Sequence, residues 1–123
     1  MKYALEYTPP APALTVELAR PFSSQSRESR AKLDSGADMT VLPQPLIGEL
    51  RLVPASRIAV YSFNEREEER YTYFVDISFH SFVFPLVEVI GARRRDVLLG
   101  RDVLNLLKTT LDGKALNFEL VDP

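Results

Sequence analysis

Two short segments of the sequence carry residues that could do acid–base chemistry. The first, residues 31–43, places a turn of small residues after an apolar strand and holds the Asp34 carboxylate at the apex of that turn. The second, residues 96–104, places two leucines and Gly100 before a predicted helix. A positioned carboxylate can act as a general base or, when protonated, as a general acid. Either segment alone is weak evidence, because an Asp-Ser-Gly sequence is usually only a turn.

In this order, the two segments together resemble the two signatures of retroviral-type aspartic peptidases, the retropepsins. These signatures are an Asp-Thr/Ser-Gly-Ala loop, here Asp34 to Ala37, and an apolar-apolar-Gly-Arg segment, here Leu98 to Arg101. The resemblance, to a bacterial-type homologue of that family, covers about residues 14–120. It implies a mainly β, retropepsin-like fold with a closed, barrel-like sheet, a flap hairpin at about residues 57–79 and one short C-terminal helix.

The resemblance implies a role for each residue of the first motif. Asp34 would be the catalytic aspartate, and the Ser35 hydroxyl would bond across a dimer axis to hold two such loops together. Gly36 would allow close approach of the backbone. Ala37 and Asp38 would line the substrate cleft beside the catalytic carboxylates.

The second motif would support the first. In the family pattern, the segment Leu98, Leu99 and Gly100 passes beneath the aspartate loop and holds it rigid, and Arg101 pairs with Asp38. This chain has Ser35 where many relatives have Thr, which keeps the hydroxyl and loses a methyl group.

Hydrolysis of this type needs two carboxylates, one to take a proton from water and one to donate a proton to the scissile carbonyl oxygen. Two close carboxylates cannot both ionise cheaply and share one proton, as in aspartic proteases generally. None of the other six aspartates is followed by Ser-Gly or Thr-Gly. They are Asp38, Asp76, Asp96, Asp102, Asp112 and Asp122. The second carboxylate is therefore expected from a second copy, in a symmetric homodimer that cleaves a peptide or protein substrate.

The predicted flap departs from the family pattern. Its tip is highly charged and comprises Ser62, Phe63, Asn64, Glu65, Arg66, Glu67 and Glu68. Many relatives carry glycines there, whereas this chain has none between Gly48 and Gly91. An alternative is therefore a catalytically weak or inactive retropepsin-like dimer that binds peptides or partner proteins, and a third hypothesis is a structural dimerisation module.

The pattern of apolar residues, prolines and glycines predicts many short strands. Strands are expected at 14–18, 30–33, 57–60, 71–79 and 97–99, with a polar loop at 21–29 and a strand at 82–90 broken by Pro85. Short helices are expected at 43–50 and 101–108. Asp112-Gly113 predicts a tight hairpin turn near the C-terminus.

Composition narrows the classes of function. The chain has 123 residues, which suits one domain over 1–123, and it has no cysteine for a disulfide, thiolate metal site or thiol nucleophile. A net charge of −2 gives no general reason to bind nucleic acid or an anionic membrane, and no apolar run is long enough to span a membrane. The first residues do not form a secretory signal, so a cytoplasmic location is expected. The one histidine, His80, is expected to be a surface or interface residue, and we expect no metal and no cofactor.

Overall fold

The computed structural model describes residues 1–61 and 66–123 and is mainly β, with 55% strand and 8% helix. The prediction of the fold class is confirmed. The strands are β1 (Ala13–Ala19), β2 (Ser26–Leu33), β3 (Val41–Pro43), β4 (Pro54–Tyr61), β5 (Glu67–Phe79), β6 (Phe82–Ala92), β7 (Val97–Leu99), β8 (Lys108–Asp112) and β9 (Asn117–Val121). The helices are α1 (Gln44–Glu49) and α2 (Arg101–Leu104).

Six of the strands close into a barrel. Neighbouring strands follow the order β1-β2-β7-β3-β6-β5, and β5 also pairs with β1, from Glu17 opposite Ser78 to Ala19 opposite Asp76. Strand β4 extends the sheet beyond β5, while β8 and β9 form a separate two-stranded sheet. The closed part is the barrel-like sheet expected from the sequence.

The barrel interior is filled by alternating apolar residues. In β1, Val16 and Leu18 are fully buried and the intervening Glu17 is exposed, as the two-residue period of a strand requires. Strand β9 continues the pattern with Phe118 and Leu120 buried against the same core. Burial of these side chains supplies the main favourable free energy of folding, at about 25 cal/mol for each Å² of apolar surface removed from water.

Two predicted boundaries were wrong. The polar segment Ser26–Ser29 belongs to β2, because Ser29 and its neighbours pair with β1 from Val16 to Ala19. The helix predicted to reach Lys108 ends at Leu104, and Lys108 begins β8. In both places pairing with a neighbouring strand overrides the local sequence pattern.

Two predicted turns also differ in detail. The C-terminal hairpin turns over the four residues 113–116 rather than at Asp112-Gly113, with Asp112 Oδ1 accepting a hydrogen bond of 3.0 Å from the Ala115 N–H. Strand β6 is continuous across Pro85 and is not broken there. The pairing of β5 with β6 shifts register at this point, where a bulge in β6 lies opposite Asp76. Leu86 takes a positive φ of 52° in this bulge, and its N–H donates to Asp76 Oδ1 at 2.9 Å.

Neither helix in the described part of the chain is long and apolar enough to cross a membrane.

Candidate active site

The Asp34 loop leaves the C-terminal end of β2, where β2 runs parallel to β7. The two strands pair from Ala31 opposite Val97 to Leu33 opposite Leu99. The Asp34 N–H then donates to the Leu99 carbonyl oxygen at 2.9 Å, which continues the ladder into the loop. The second motif therefore supports the backbone of the first, as the sequence predicted.

The Asp34 side chain is held by the turn that follows it. Asp34 Oδ1 accepts a hydrogen bond of 2.9 Å from the Gly36 N–H, and the Ala37 N–H donates to the Asp34 carbonyl oxygen at 3.2 Å. A Cβ at Gly36 would lie 3.2 Å from Asp34 Oδ1, which is shorter than an ordinary van der Waals contact. Within the described residues, Oδ2 of Asp34 accepts no hydrogen bond, so it remains open to a water molecule or another carboxyl group.

Arg101 fixes the far side of the loop through three contacts. Its N–H donates to the Ala37 carbonyl oxygen at 2.8 Å, and Nη1 donates to the Ser35 carbonyl oxygen at 3.3 Å. Its Nη2 forms an ion pair with Asp38 Oδ1, which confirms the predicted contact. The pair is exposed, since 82% of the Asp38 side chain and 48% of the Arg101 side chain are accessible in the single chain.

Gly100 lies where the two motifs approach most closely. A Cβ at Gly100 would lie 2.7 Å from the carbonyl carbon and oxygen of Met39 and 2.9 Å from the Ala37 carbonyl oxygen. These are backbone atoms, which cannot move aside as the end of a flexible side chain can. Glycine is therefore required here by the close approach of the β7–α2 connection to the Asp34 loop.

A polar pair beneath the loop, formed by Thr40 and Asp102, was not predicted from the sequence. Thr40 is fully buried; its hydroxyl donates to Asp102 Oδ1 at 2.8 Å and its N–H to Asp102 Oδ2 at 3.0 Å. The Gly100 N–H in turn donates to the Thr40 hydroxyl oxygen at 3.1 Å. From the sequence, Asp102 was only one of the aspartates without a following Ser-Gly or Thr-Gly, and no spacing links it to Thr40.

A cleft of about 400 Å³ separates the Asp34 loop from β4. Gly36, Ala37 and Asp38 line one wall, where Ala37 and Asp38 were expected to line a cleft, and residues 58–61 line the other. Apolar side chains of Met39, Val41 and Ile90 form much of the remaining surface. An extended peptide with apolar side chains fits the chemistry of such walls.

The N-terminal segment braces both strands that carry the motifs. The Tyr7 hydroxyl donates to Asp96 Oδ2 at 2.5 Å, immediately before β7, and Lys32 Nζ in β2 lies 4.7 Å from the centre of the Tyr7 ring. Partial burial, with the Asp96 carboxylate as hydrogen-bond partner and negative charge, raises the pKa of Tyr7 to about 12. Tyr7 therefore remains a neutral hydrogen-bond donor at any physiological pH.

No protein-family model matches the chain, and no curated protein matches it by sequence. Solved structures do match. EIAV protease, solved with the inhibitor HBY-793, superposes with a TM-score of 0.61 at 20% identity, over 85% of this chain and 92% of the protease. A retropepsin-like aspartic protease from Rickettsia conorii gives a TM-score of 0.54 at 14% identity, over 98% and 96% of the two chains. The retroviral protease-like domain of Ddi1 from Leishmania major gives a TM-score of 0.53 at 16% identity, over 89% of this chain and 88% of that domain.

The chain has a retropepsin-like fold. The match extends along nearly the whole chain in the Rickettsia comparison, so it covers both motif segments and the hairpin between them.

The hairpin predicted to be the flap of this retropepsin-like fold is formed by β4 and β5. They pair from Pro54 opposite Tyr73 to Tyr61 opposite Glu67. Of the predicted flap residues, Arg66, Glu67 and Glu68 are exposed. Ser62, Phe63, Asn64 and Glu65 lie outside the described residues. Arg57 on β4 forms an ion pair with Glu69 on β5 at 2.6 Å, which joins the two strands. Arg70 forms an ion pair with Glu68 within β5 at 3.2 Å.

Proposed function

We propose that this protein is an aspartic endopeptidase that acts as a homodimer, with Asp34 from each copy forming the catalytic pair. The observation that carries the proposal is the position of the Asp34 carboxylate. It lies at the apex of a loop fixed by β7 and Arg101, beside an apolar cleft, with one of its two oxygens open. The retropepsin-like fold supports the same activity.

In the proposed mechanism, one carboxylate of the pair is ionised and the other is protonated, since two close carboxylates share one proton. The ionised group takes a proton from a water molecule as its oxygen attacks the carbonyl carbon of the scissile bond. The protonated group donates to the carbonyl oxygen, giving a neutral tetrahedral intermediate. The first carboxyl group then passes its proton to the amide nitrogen while the second, now ionised, takes back a hydroxyl proton from the intermediate, and the C–N bond breaks to give a carboxylic acid and an amine.

The Asp-Ser-Gly motif occurs once in these 123 residues, so the second carboxylate is proposed to come from a second copy. Asp34 is the single aspartate followed by Ser-Gly or Thr-Gly. A two-fold axis beside the Asp34 loop would bring two copies of it together, and the Ser35 hydroxyl at the exposed tip of the loop is available to bond across that axis.

The test is incubation with an unfolded, fluorescently labelled protein between about pH 3 and about pH 8, comparing the wild type with Asp34→Asn. Asp34→Asn should keep the fold, because an amide oxygen can still accept the Gly36 N–H bond, but it should lower hydrolysis by at least about 10³-fold because the amide cannot take up the water proton. Hydrolysis by Asp34→Asn at the wild-type rate would refute the aspartic mechanism. The sequences of the new termini would define the cleavage preference.

A second candidate is a retropepsin-like dimer that binds peptides or partner proteins with little or no cleavage. It is favoured by the absence of glycine between Gly48 and Gly91, because a flap without glycine has fewer backbone conformations available for closure. Saturable binding of a peptide library by both wild type and Asp34→Asn, without new termini at any pH, would select this candidate.

A further inference from the structure

A second groove lies between β6 and the residues that follow α2. It has a volume of about 540 Å³. We call it the β6 groove, and its apolar lining includes Met39, Val83, Leu86, Val87 and Leu106. Val83 is 68% exposed and Leu106 is 60% exposed, although both are large apolar residues. Exposed apolar residues that cluster in this way mark a binding site more often than scattered ones do.

The backbone of β6 directs Leu86 into this groove through the bulge opposite Asp76. Leu86 has a positive φ of 52°, which is unfavourable for a residue with a Cβ. The hydrogen bond from its N–H to Asp76 Oδ1 holds this conformation. Leu86 is nevertheless 48% exposed, so the conformation does not serve to bury the side chain in the core. Bulges often aim a side chain at a functional site, and this one indicates that a ligand contacts Leu86.

The β6 groove continues the cleft beside Asp34. Met39 lines both, whereas Gly36, Ala37 and Asp38 line the cleft but not the groove. A peptide chain that lies in the cleft and extends past Met39 would therefore enter the β6 groove. In the proposed dimer, the two-fold axis would place one such groove at each end of the shared cleft.

The β6 groove is acidic as well as apolar. Among the described residues that line it, Glu88 and Asp102 are acidic and none is basic. Glu88 Oε2 accepts a hydrogen bond of 3.0 Å from the Ser56 hydroxyl, and both Asp102 oxygens accept from Thr40. Neither carboxylate belongs to an ion pair in the described part of the chain. An apolar segment that carries a lysine or an arginine would complement this lining in both respects.

We propose that the β6 groove is a second substrate-binding site, which takes an apolar segment of the substrate that carries a lysine or arginine and lies beyond the residues in the cleft. The proposal rests on the proposed function, because the occupant is the substrate of that reaction. The groove is separated from Asp34 by the cleft, so its contacts are the same before and during the chemical step. Binding there should lower KM for long substrates and leave kcat unchanged.

Peptides with and without a flanking segment test the β6 groove. The short peptide is a sequence that the enzyme cleaves in the unfolded test protein, labelled with a fluorophore and a quencher. The long peptide adds a flexible glycine–serine spacer of about four residues and the segment Leu-Val-Lys-Leu. With the wild type, the long peptide should have a KM about tenfold lower than the short peptide and the same kcat.

A double variant, Val83→Thr with Leu106→Gln, removes apolar surface from the groove and keeps side chains of similar size. It should raise KM for the long peptide almost to that of the short peptide and leave the short peptide unaffected. The matched control is Val53→Thr with Leu5→Gln. Val53 and Leu5 are 65% and 75% exposed and line neither the cleft nor the groove. Unfolding curves check the fold of both variants.

The charge of the flanking segment tests the acidic part of the lining. Replacing its lysine with glutamine should raise KM of the long peptide by about twofold at low salt. Glu88→Gln should reduce this difference, and its amide oxygen can still accept the Ser56 hydrogen bond. Glu17→Gln is the control, since Glu17 is exposed on β1 and does not line the groove. A preference for lysine that is equal in both variants would overturn the assignment of a basic segment.

The outcomes separate this inference from the proposed function. Equal KM values for the short and long peptides, with hydrolysis that depends on Asp34, would overturn the groove site and leave the function standing. Groove variants that weaken dimerisation in sedimentation and slow the cleavage of both peptides alike would show that a second copy covers the groove, which also overturns the site.

A binding measurement decides the case in which the wild type cleaves nothing. The probe is the labelled peptide Leu-Val-Lys-Leu, followed by fluorescence anisotropy. Saturable binding that is lost in Val83→Thr with Leu106→Gln, and kept in the matched control, would support the groove site although the proposed function fails. Binding that is equal in both variants, or absent from the wild type, would overturn the groove site.

Discussion

At the scale of single residues, the position of the catalytic candidate depends on groups that carry no chemistry themselves. The Asp34 carboxylate is oriented by a backbone N–H of Gly36, and its loop is supported by the carbonyl oxygen of Leu99. Gly100 allows the β7–α2 connection to pass within contact distance of Met39. The site is therefore expected to be more sensitive to backbone crowding than to changes of neighbouring side chains.

Replacing Gly100 with alanine tests this dependence. The new Cβ would meet the Met39 carbonyl group at 2.7 Å, so the loop must shift, and we expect a loss of about 1–3 kcal/mol in the free energy of unfolding. Gly48→Ala is the control, because a Cβ at Gly48 in α1 meets nothing within 4 Å and alanine favours a helix. Denaturant unfolding of both variants measures the difference. If Gly100→Ala is as stable as Gly48→Ala, the contact between the two motifs is not tight.

The roles of individual residues were predicted from the sequence to different extents. The contact of Arg101 with Asp38 followed from the two motifs, because both residues stand at fixed places in a known pattern. The contact of Thr40 with Asp102 did not, because the two residues lie 62 positions apart and a hydroxyl before a strand has many possible partners. A polar pair of this kind is defined by the packing of the loop on α2, which no local pattern encodes.

At the scale of elements, the N-terminal segment connects the two motif strands through Tyr7. Tyr7→Phe removes the hydrogen bond to Asp96 and should lower the free energy of unfolding at neutral pH by about 1 kcal/mol. Its pKa is raised from 10.0 to about 12 in the folded chain, so the neutral hydroxyl stabilises the fold fully below pH 10, and that stabilisation is lost as the pH rises toward 12.

Unfolding curves between pH 8 and about pH 12 should therefore show a tyrosine-dependent loss of stability in the wild type that is smaller in Tyr7→Phe. Tyr61→Phe is a suitable control, because Tyr61 is 72% exposed at the end of β4 and makes no contact with Asp96. Identical alkaline profiles for wild type and Tyr7→Phe would show that the Tyr7 hydrogen bond does not contribute to stability.

The net charge of the flap hairpin is less negative than the net charge of its tip alone. Residues 65–70 contain four glutamates and two arginines, but Arg57 on β4 pairs with Glu69, so the hairpin carries −4 + 3 = −1. Within the described residues, Glu67 belongs to no ion pair, whereas Glu68 and Glu69 are both paired. Repulsion between two flaps of a dimer would therefore come largely from unpaired groups such as Glu67.

Glu67→Gln should raise the rate of hydrolysis at neutral pH and low salt by about twofold, because two charges about 8 Å apart in water repel by a few tenths of a kcal/mol. Glu17→Gln removes an equal charge from β1, distant in the sheet from the flap tip, and should leave the rate unchanged. Rates measured at low and high salt provide the check. If both variants respond alike, the flap charge has no part in closure.

Strands were predicted well where the apolar residues of the strand alone form a recognisable pattern. Val97 to Leu99 and Leu14 to Leu18 were recognisable because alternating or continuous apolar residues bury the strand regardless of its neighbours. The start of β2 was missed because Ser26–Ser29 gains its strand conformation from pairing with β1. The short length of α2 was missed because Lys108 belongs to a hairpin whose second strand follows it in the sequence.

At the scale of the whole molecule, one chain holds one carboxylate of the proposed pair. The barrel of one chain is closed, and Ser35 lies exposed at its surface beside Asp34. This arrangement favours a functional unit of two copies.

The last prediction is that activity depends on concentration. If the dimer holds both carboxylates, specific activity should be constant at high concentration and should fall on dilution through the dissociation constant measured by sedimentation. Mixing the wild type with Asp34→Asn under conditions of exchange provides the control. At equal amounts, random pairing leaves about one quarter of the dimers with two intact aspartates, so activity per wild-type chain should fall to about half. Activity that stays constant on dilution below that dissociation constant, or that is unaffected by an excess of Asp34→Asn chains, would show that one chain is catalytically complete.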